Sequence, residues 1–135
     1  MLWPISKPAD GIHYVSAWIV RITSDEAEGE LIVRVLFDDK KEKEIIYEEM
    51  YYSQFDHRSE GIILTLIEEI GLRELRKPRY EAAAARLYED CDADDVFLEN
   101  MYRRGNRLYV HHTESSGEYI VLAKHMTIRN PDDDK

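Results

Sequence analysis

Asp90, Asp92 and Asp94 alternate through the run Asp90-Cys91-Asp92-Ala93-Asp94-Asp95, the spacing with which a calcium loop begins. Such a loop needs alternate oxygens that converge on a hard cation. The match then fails. Asp95 stands where the sharp turn needs glycine, Met101 stands where the bidentate glutamate belongs, and Glu99 comes two residues early. The run reads as a solvated acidic helix terminus, and no metal site is assigned to it.

The chain has five histidines. His111 and His112 are adjacent, so on a strand they point to opposite faces and do not share one ion. His57 follows Asp56 in an expected loop, and His125 lies near the chain end. None of these pairs has the i,i+4 spacing of a zinc-binding helix. Cys91 is the single cysteine, and it sits among carboxylates at an expected helix C-terminus. Negative neighbours raise a thiol pKa, which is the wrong direction for a nucleophile. Ser115-Ser116-Gly117 lacks the strand–Gly-x-Ser-x-Gly–helix setting of a nucleophile elbow. Glycine-rich phosphate cradles are absent, so no cofactor is expected. The basic run Arg103-Arg104-Gly105-Asn106-Arg107, with Tyr102 and Tyr109 nearby, has the makings of a nucleic-acid contact.

The whole chain weighs against that contact. It carries 28 Asp+Glu against 18 Lys+Arg over 135 residues, a formal charge of −10. Such a balance repels phosphate backbones and anionic membrane surfaces and attracts basic partners. Direct nucleic-acid binding is therefore disfavoured. The segment Tyr47-Glu48-Glu49-Met50-Tyr51-Tyr52-Ser53-Gln54-Phe55-Asp56 interleaves four aromatic rings with three carboxylates. Tyrosine is a favoured interface anchor, and flanking carboxylates select a basic partner. The candidate partner-binding residues are Glu48, Glu49, Tyr51, Tyr52 and Asp56, with Asp90, Asp92, Asp94 and Asp95 as a second acidic cluster. The leading reading is a non-catalytic acidic binding protein that engages a basic protein. Toxin-neutralising immunity proteins and phage-encoded inhibitors are analogous in charge and size, though not in motif. The alternative is a small enzyme with a dispersed acid/histidine site, built from Asp56, His57 and one of His111 or His112.

The elements that position these groups follow from periodicity. The length suits one domain. We expect a single α+β domain over 1–135, with an irregular lead-in over 1–11 and a disordered acidic tail over 130–135. The N-terminal residues lack the charged start and apolar run of a secretory signal, and no stretch approaches eighteen consecutive apolar residues. One cysteine suits a reducing cytoplasm.

Tyr14–Thr23 and Leu31–Phe37 alternate about a polar glycine-containing loop and read as a hairpin. On the first of these strands, Tyr14, Trp18, Val20 and Ile22 fall on one side. Within residues 44–55 a third strand extends the meander from Glu44 and ends near Tyr47 to Tyr52, although Tyr47, Met50 and Tyr51 also fit helical spacing. Ser59 caps an expected helix over 60–70, with Ile63, Leu66, Ile67 and Ile70 on one face, Glu68 and Glu69 on the other, and Gly71 at its end. Pro78 opens a second helix over 79–91, with Tyr80, Ala84, Leu87 and Cys91 as its stripe. Val96–His112 reads as a hairpin turning at Arg104-Gly105-Asn106; a helix from Asp95 to Arg103 is the alternative, since Phe97, Leu98, Met101 and Tyr102 fit its spacing. Tyr119–Ala123 closes a last strand that extends toward Ile128. The sum is a largely antiparallel sheet, with a hairpin or meander at each end of the chain and two central helices packed on one face.

Overall fold

The structure, a computed structural model, describes residues 11–25 and 27–130. The expected lead-in, except Gly11, and the expected tail, except Asn130, lie outside these residues. The fold is α+β, with six antiparallel strands and two helices.

Strands β1 (Ile12–Asp25), β2 (Glu30–Leu36) and β3 (Glu42–Ser53) form the expected meander. Their alternation of apolar and polar residues supplies one buried face each. Val15, Ala17 and Ile19 of β1 point inward, while Tyr14, Trp18 and Val20 are exposed. Ile22 departs from the expected side. The register with β2 slips between Ile19 and Arg21, and this bulge carries Ile22 into the core.

The helix expected over 60–70 is instead strand β4 (Ile63–Gly71). Its register with β5 (Arg107–Thr113) jumps from Leu64↔Thr113 to Leu66↔His112. The extra residue, Thr65, separates the inward Leu64 and Ile67 by three positions. Ile70 then faces a second core on the other side of the sheet. Two cores and one bulge thus imitate a helical stripe. Ser59 does take part in a capping box, reciprocal with Asp56, but the box closes only the 3-10 turn His57–Ser59. Gly71 has an ordinary φ of −68° and ends no helix. Glu68 and Glu69 do not share a face. The Glu69 carboxylate turns inward, with its side chain only 5% exposed.

The chain next makes two 3-10 turns, Leu72–Arg76 and Pro78–Tyr80, and enters helix α1 (Glu81–Cys91). Pro78 opens the second 3-10 turn, and the helix expected over 79–91 begins after it, at Glu81. Helix α2 (Asp95–Arg103) occupies the first half of the expected 96–112 hairpin. Asp94 caps it by accepting the Phe97 N–H at 2.8 Å. At its far end Gly105, with φ +89°, donates to the Tyr102 carbonyl, and Asn106 donates to Met101. These paired bonds are a Schellman stop, so Arg104-Gly105-Asn106 ends a helix and does not turn a hairpin. Strand β6 (Glu118–Arg129) follows β5 and exceeds its expected span.

The strands close into a barrel in the order β1-β2-β3-β6-β5-β4. The closing seam is the β1–β4 pairing, which includes His13↔Ile67 and Trp18↔Ile63. Closure gives every strand two paired neighbours. Inside are residues such as Val33, Ile45, Tyr47, Leu64, Ile67, Tyr109 and Val121. Outside, Leu87 of α1 and Leu98 and Met101 of α2 pack with Ile70, Leu108, Val110, Ile120 and Leu122. Strands β5 and β6 are therefore buried on both faces where the helices lie. This explains the unbroken apolar runs Leu108–Val110 and Ile120–Ala123.

Candidate partner-binding surface

A further bulge shapes this surface. The β3–β6 register passes from Met50↔Ala123 to Tyr52↔Leu122, which leaves Tyr51 as the unpaired residue. Glu49, at φ +50°, and the bond from Met50 N–H to the Gly29 carbonyl at 2.8 Å accompany it. A bulge re-aims a side chain. The Tyr51 ring is 55% exposed and meets Phe97 of α2 edge-to-face, with centroids 5.5 Å apart. Its neighbour Tyr52 turns toward α1 and donates its phenol O–H to Asp90. The Gln54 amide N–H also donates to Asp90, at 3.2 Å, while the Gln54 oxygen accepts Ile120 N–H at 2.9 Å. Burial raises the Tyr52 pKa, and the Asp90 carboxylate raises it further. The phenol therefore stays protonated as a donor.

The α1–α2 turn completes the arrangement. Asp92 adopts the left-handed conformation at φ 49° that aspartate tolerates better than most residues. Asp94 is the α2 cap, and Val96 and Phe97 follow in its first turn, with Val96 exposed. Two segments distant in sequence, 47–56 and 90–97, thus meet through Tyr52–Asp90 and Tyr51–Phe97.

The individual carboxylates have unequal duties. Glu49 faces Lys124 at 3.6 Å and His125 at 3.8 Å. Asp95 pairs with Arg76 at 3.3 Å. Asp90 is held by Tyr52 and Gln54, and Asp94 by the helix end. Glu48 and Asp92 are exposed and have no ion pair among the described residues. Asp56 caps the 3-10 turn by accepting Arg58 N–H at 2.8 Å and pairs with the Arg58 guanidinium at 3.3 Å; no contact ties it to the other eight. The carboxylates of the 90–95 run therefore serve separate partners and do not point at one centre. Val96 and Phe97 were not among the expected contacts, because their segment reads first as a strand. The capping Asp94 and the helical spacing of Phe97, Leu98, Met101 and Tyr102 carry the missing signal.

The basic run behaves differently. Arg73 donates to Glu99 at 2.8 Å while stacking over Tyr102 at 4.0 Å, and Arg103 reaches the same Glu99 at 3.5 Å. A cleft of about 220 Å³ lies here, lined by Leu72, Arg73, Arg76, Asp95, Leu98 and Glu99. The pairs Arg73–Glu99 and Arg76–Asp95 join its two walls.

The histidines lie in separate surroundings. His111 is fully buried in the barrel, between the Tyr47 phenol and the Tyr119 carbonyl, the latter at 2.9 Å. His112 points outward, as expected for its neighbour, and lies between Glu68 at 2.7 Å and Glu118 at 3.2 Å. His57 lies 3.8 Å from Glu60. Among the described residues no contact joins Asp56 or His57 to either strand histidine, and no group of three or more His, Cys, Asp or Glu side chains is placed to hold a metal ion. Burial, then Asp90, raises the Cys91 thiol pKa. Among the described residues no helix is long and apolar enough to cross a membrane.

The class these features define is a closed six-stranded antiparallel barrel with a two-helix cover and an acidic, aromatic surface beside that cover. No protein-family model, curated protein or solved structure matches the chain.

Proposed function

We propose that this protein is a non-catalytic acidic binding protein that engages a basic protein partner where β3 meets the α1–α2 turn. The observation that carries the reading is the contact of exposed Tyr51 with Phe97, flanked on both segments by carboxylates. On the two segments that carry these rings Glu48, Glu49, Asp92, Asp94 and Asp95 outnumber the cations Lys124 and Arg76 that pair with two of them. The rings supply desolvated anchoring area, and the carboxylates supply the sign of the partner. Every strand of the closed barrel already has two paired neighbours, so side chains and not an added strand carry the contact. A reducing cytoplasm suits the single thiol. The enzyme alternative has less support, since His111 is sealed in and both ring nitrogens of His112 face carboxylates.

Titration of isotope-labelled protein with an octalysine peptide, followed by amide chemical shifts, tests this reading. Shifts should concentrate at Glu48, Tyr51, Val96 and Phe97. Affinity should fall steeply as salt rises, because the screening length shrinks from about 10 Å at 0.1 M to about 3 Å at 1 M. Salt-insensitive binding, or shifts centred on the acidic β1–β2 connection at Asp25, Glu28 and Glu30, would defeat the proposal.

A further inference from the structure

We infer that the group received by this surface is an arginine side chain, borne by an arginine-containing segment of the basic partner and seated on the Tyr51 ring. The inference rests on the reading above and names the chemistry of its central contact. An aromatic face attracts cations, and the attraction grows as water is excluded. Guanidinium is planar and weakly hydrated, so it stacks on a ring while its edge pairs with a carboxylate. Ammonium, compact and strongly hydrated, does both less well.

The molecule already uses this arrangement twice within its own chain. Arg73 lies 4.0 Å over Tyr102 and donates to Glu99 at 2.8 Å. Arg79 lies 4.8 Å over Tyr80 and donates to Glu68 at 3.2 Å. Tyr51 is likewise exposed, and Glu48 and Asp92 are exposed carboxylates on the two segments that meet there, but among the described residues no cation lies over the ring. Phe97 braces the ring from α2, and the bulge that leaves Tyr51 unpaired turns it outward. An incoming arginine would take the place that Arg73 and Arg79 fill elsewhere, with Glu48 or Asp92 as its carboxylate.

Calorimetry with octaarginine and octalysine peptides, at matched ionic strength, tests the assignment. Octaarginine should bind about three- to tenfold more tightly, the range that a stacked guanidinium adds at a partly exposed ring. Tyr51→Leu should erase that preference with the far-ultraviolet spectrum unchanged, and Tyr51→Phe should keep it. Tyr14→Leu, which removes a more exposed ring on β1, should also leave it intact. Equal affinities in the natural sequence, or a preference that survives Tyr51→Leu, would overturn the arginine assignment while leaving the basic-partner reading in place. If neither peptide shifts Tyr51, Val96 or Phe97, the underlying reading fails and the arginine assignment falls with it.

Discussion

Tyr47 and His111 meet inside the barrel, with the phenol O–H donating to His111 Nε2. The direction follows from the other ring nitrogen. Nδ1 lies 2.9 Å from the Tyr119 carbonyl, which can only accept, so Nδ1 carries the proton. Nε2 of the neutral ring is then an acceptor. The Tyr109 ring meets Tyr47 and the Phe55 ring meets His111, both edge-on, and Phe55 stacks on Tyr119.

Burial pushes the His111 pKa from 6.5 down to about 3. Above pH 6.5 the ring is neutral in both folded and unfolded chains and adds no pH dependence. Between 6.5 and about 3 the unfolded chain takes up a proton that the folded chain refuses, so stability falls as pH falls. Urea denaturation at pH 7.5 and pH 4.5 should show this loss, and His111→Gln should flatten it. An unchanged acid slope in the variant would assign the loss to other groups.

Tyr47→Phe removes the donor but leaves Nε2 in an apolar interior. An unsatisfied buried acceptor costs about 1–3 kcal/mol. Denaturation midpoints should report that range, and a loss under about 0.5 kcal/mol would mean that the ring finds another partner.

Gly105 and Gly71 have equal space around them, since nothing lies within 4 Å of a built Cβ at either position. They differ in backbone conformation: Gly105 has φ +89° and Gly71 has φ −68°. Gly105→Ala should cost about 1–2 kcal/mol by straining the end of α2. Gly71→Ala should be neutral or stabilise by about 0.4–1 kcal/mol. Thermal unfolding of both variants checks the contrast, which equal effects would contradict.

Asp94 has two separable duties. Asp94→Ala removes the cap and should cost about 1 kcal/mol. Asp94→Asn keeps a capping oxygen and removes the charge, so stability should hold while association with octalysine slows. An Asn variant as unstable as the Ala variant would show that charge, not the hydrogen bond to Phe97, is what α2 needs.

The Cys91 thiol should alkylate slowly at neutral pH, because burial and Asp90 both disfavour its thiolate. Iodoacetamide labelling followed by mass measurement checks this. Labelling faster than that of free cysteine would contradict it, as would loss of octalysine binding in a folded Cys91→Ala variant.

The sequence by itself determined the strands whose single buried face writes a two-residue alternation, as in Val15, Ala17 and Ile19. It also determined α1, whose alanine run acts locally, and the net charge. The tyrosines and carboxylates of the candidate surface were legible by type. Only the tertiary structure decided β4, because Thr65 breaks its alternation and Ile70 serves a second core. The 96–103 segment was ambiguous because helical spacing and a short apolar run coexist there, and packing on β5 and β6 chose the helix. Barrel closure depends on β1 pairing with β4, about fifty residues away, and that pairing leaves no local signature. The meeting of Tyr51 with Phe97 has the same origin. Each residue carries its own local signal, but their contact exists only because the helices fold back over the barrel wall beside β3.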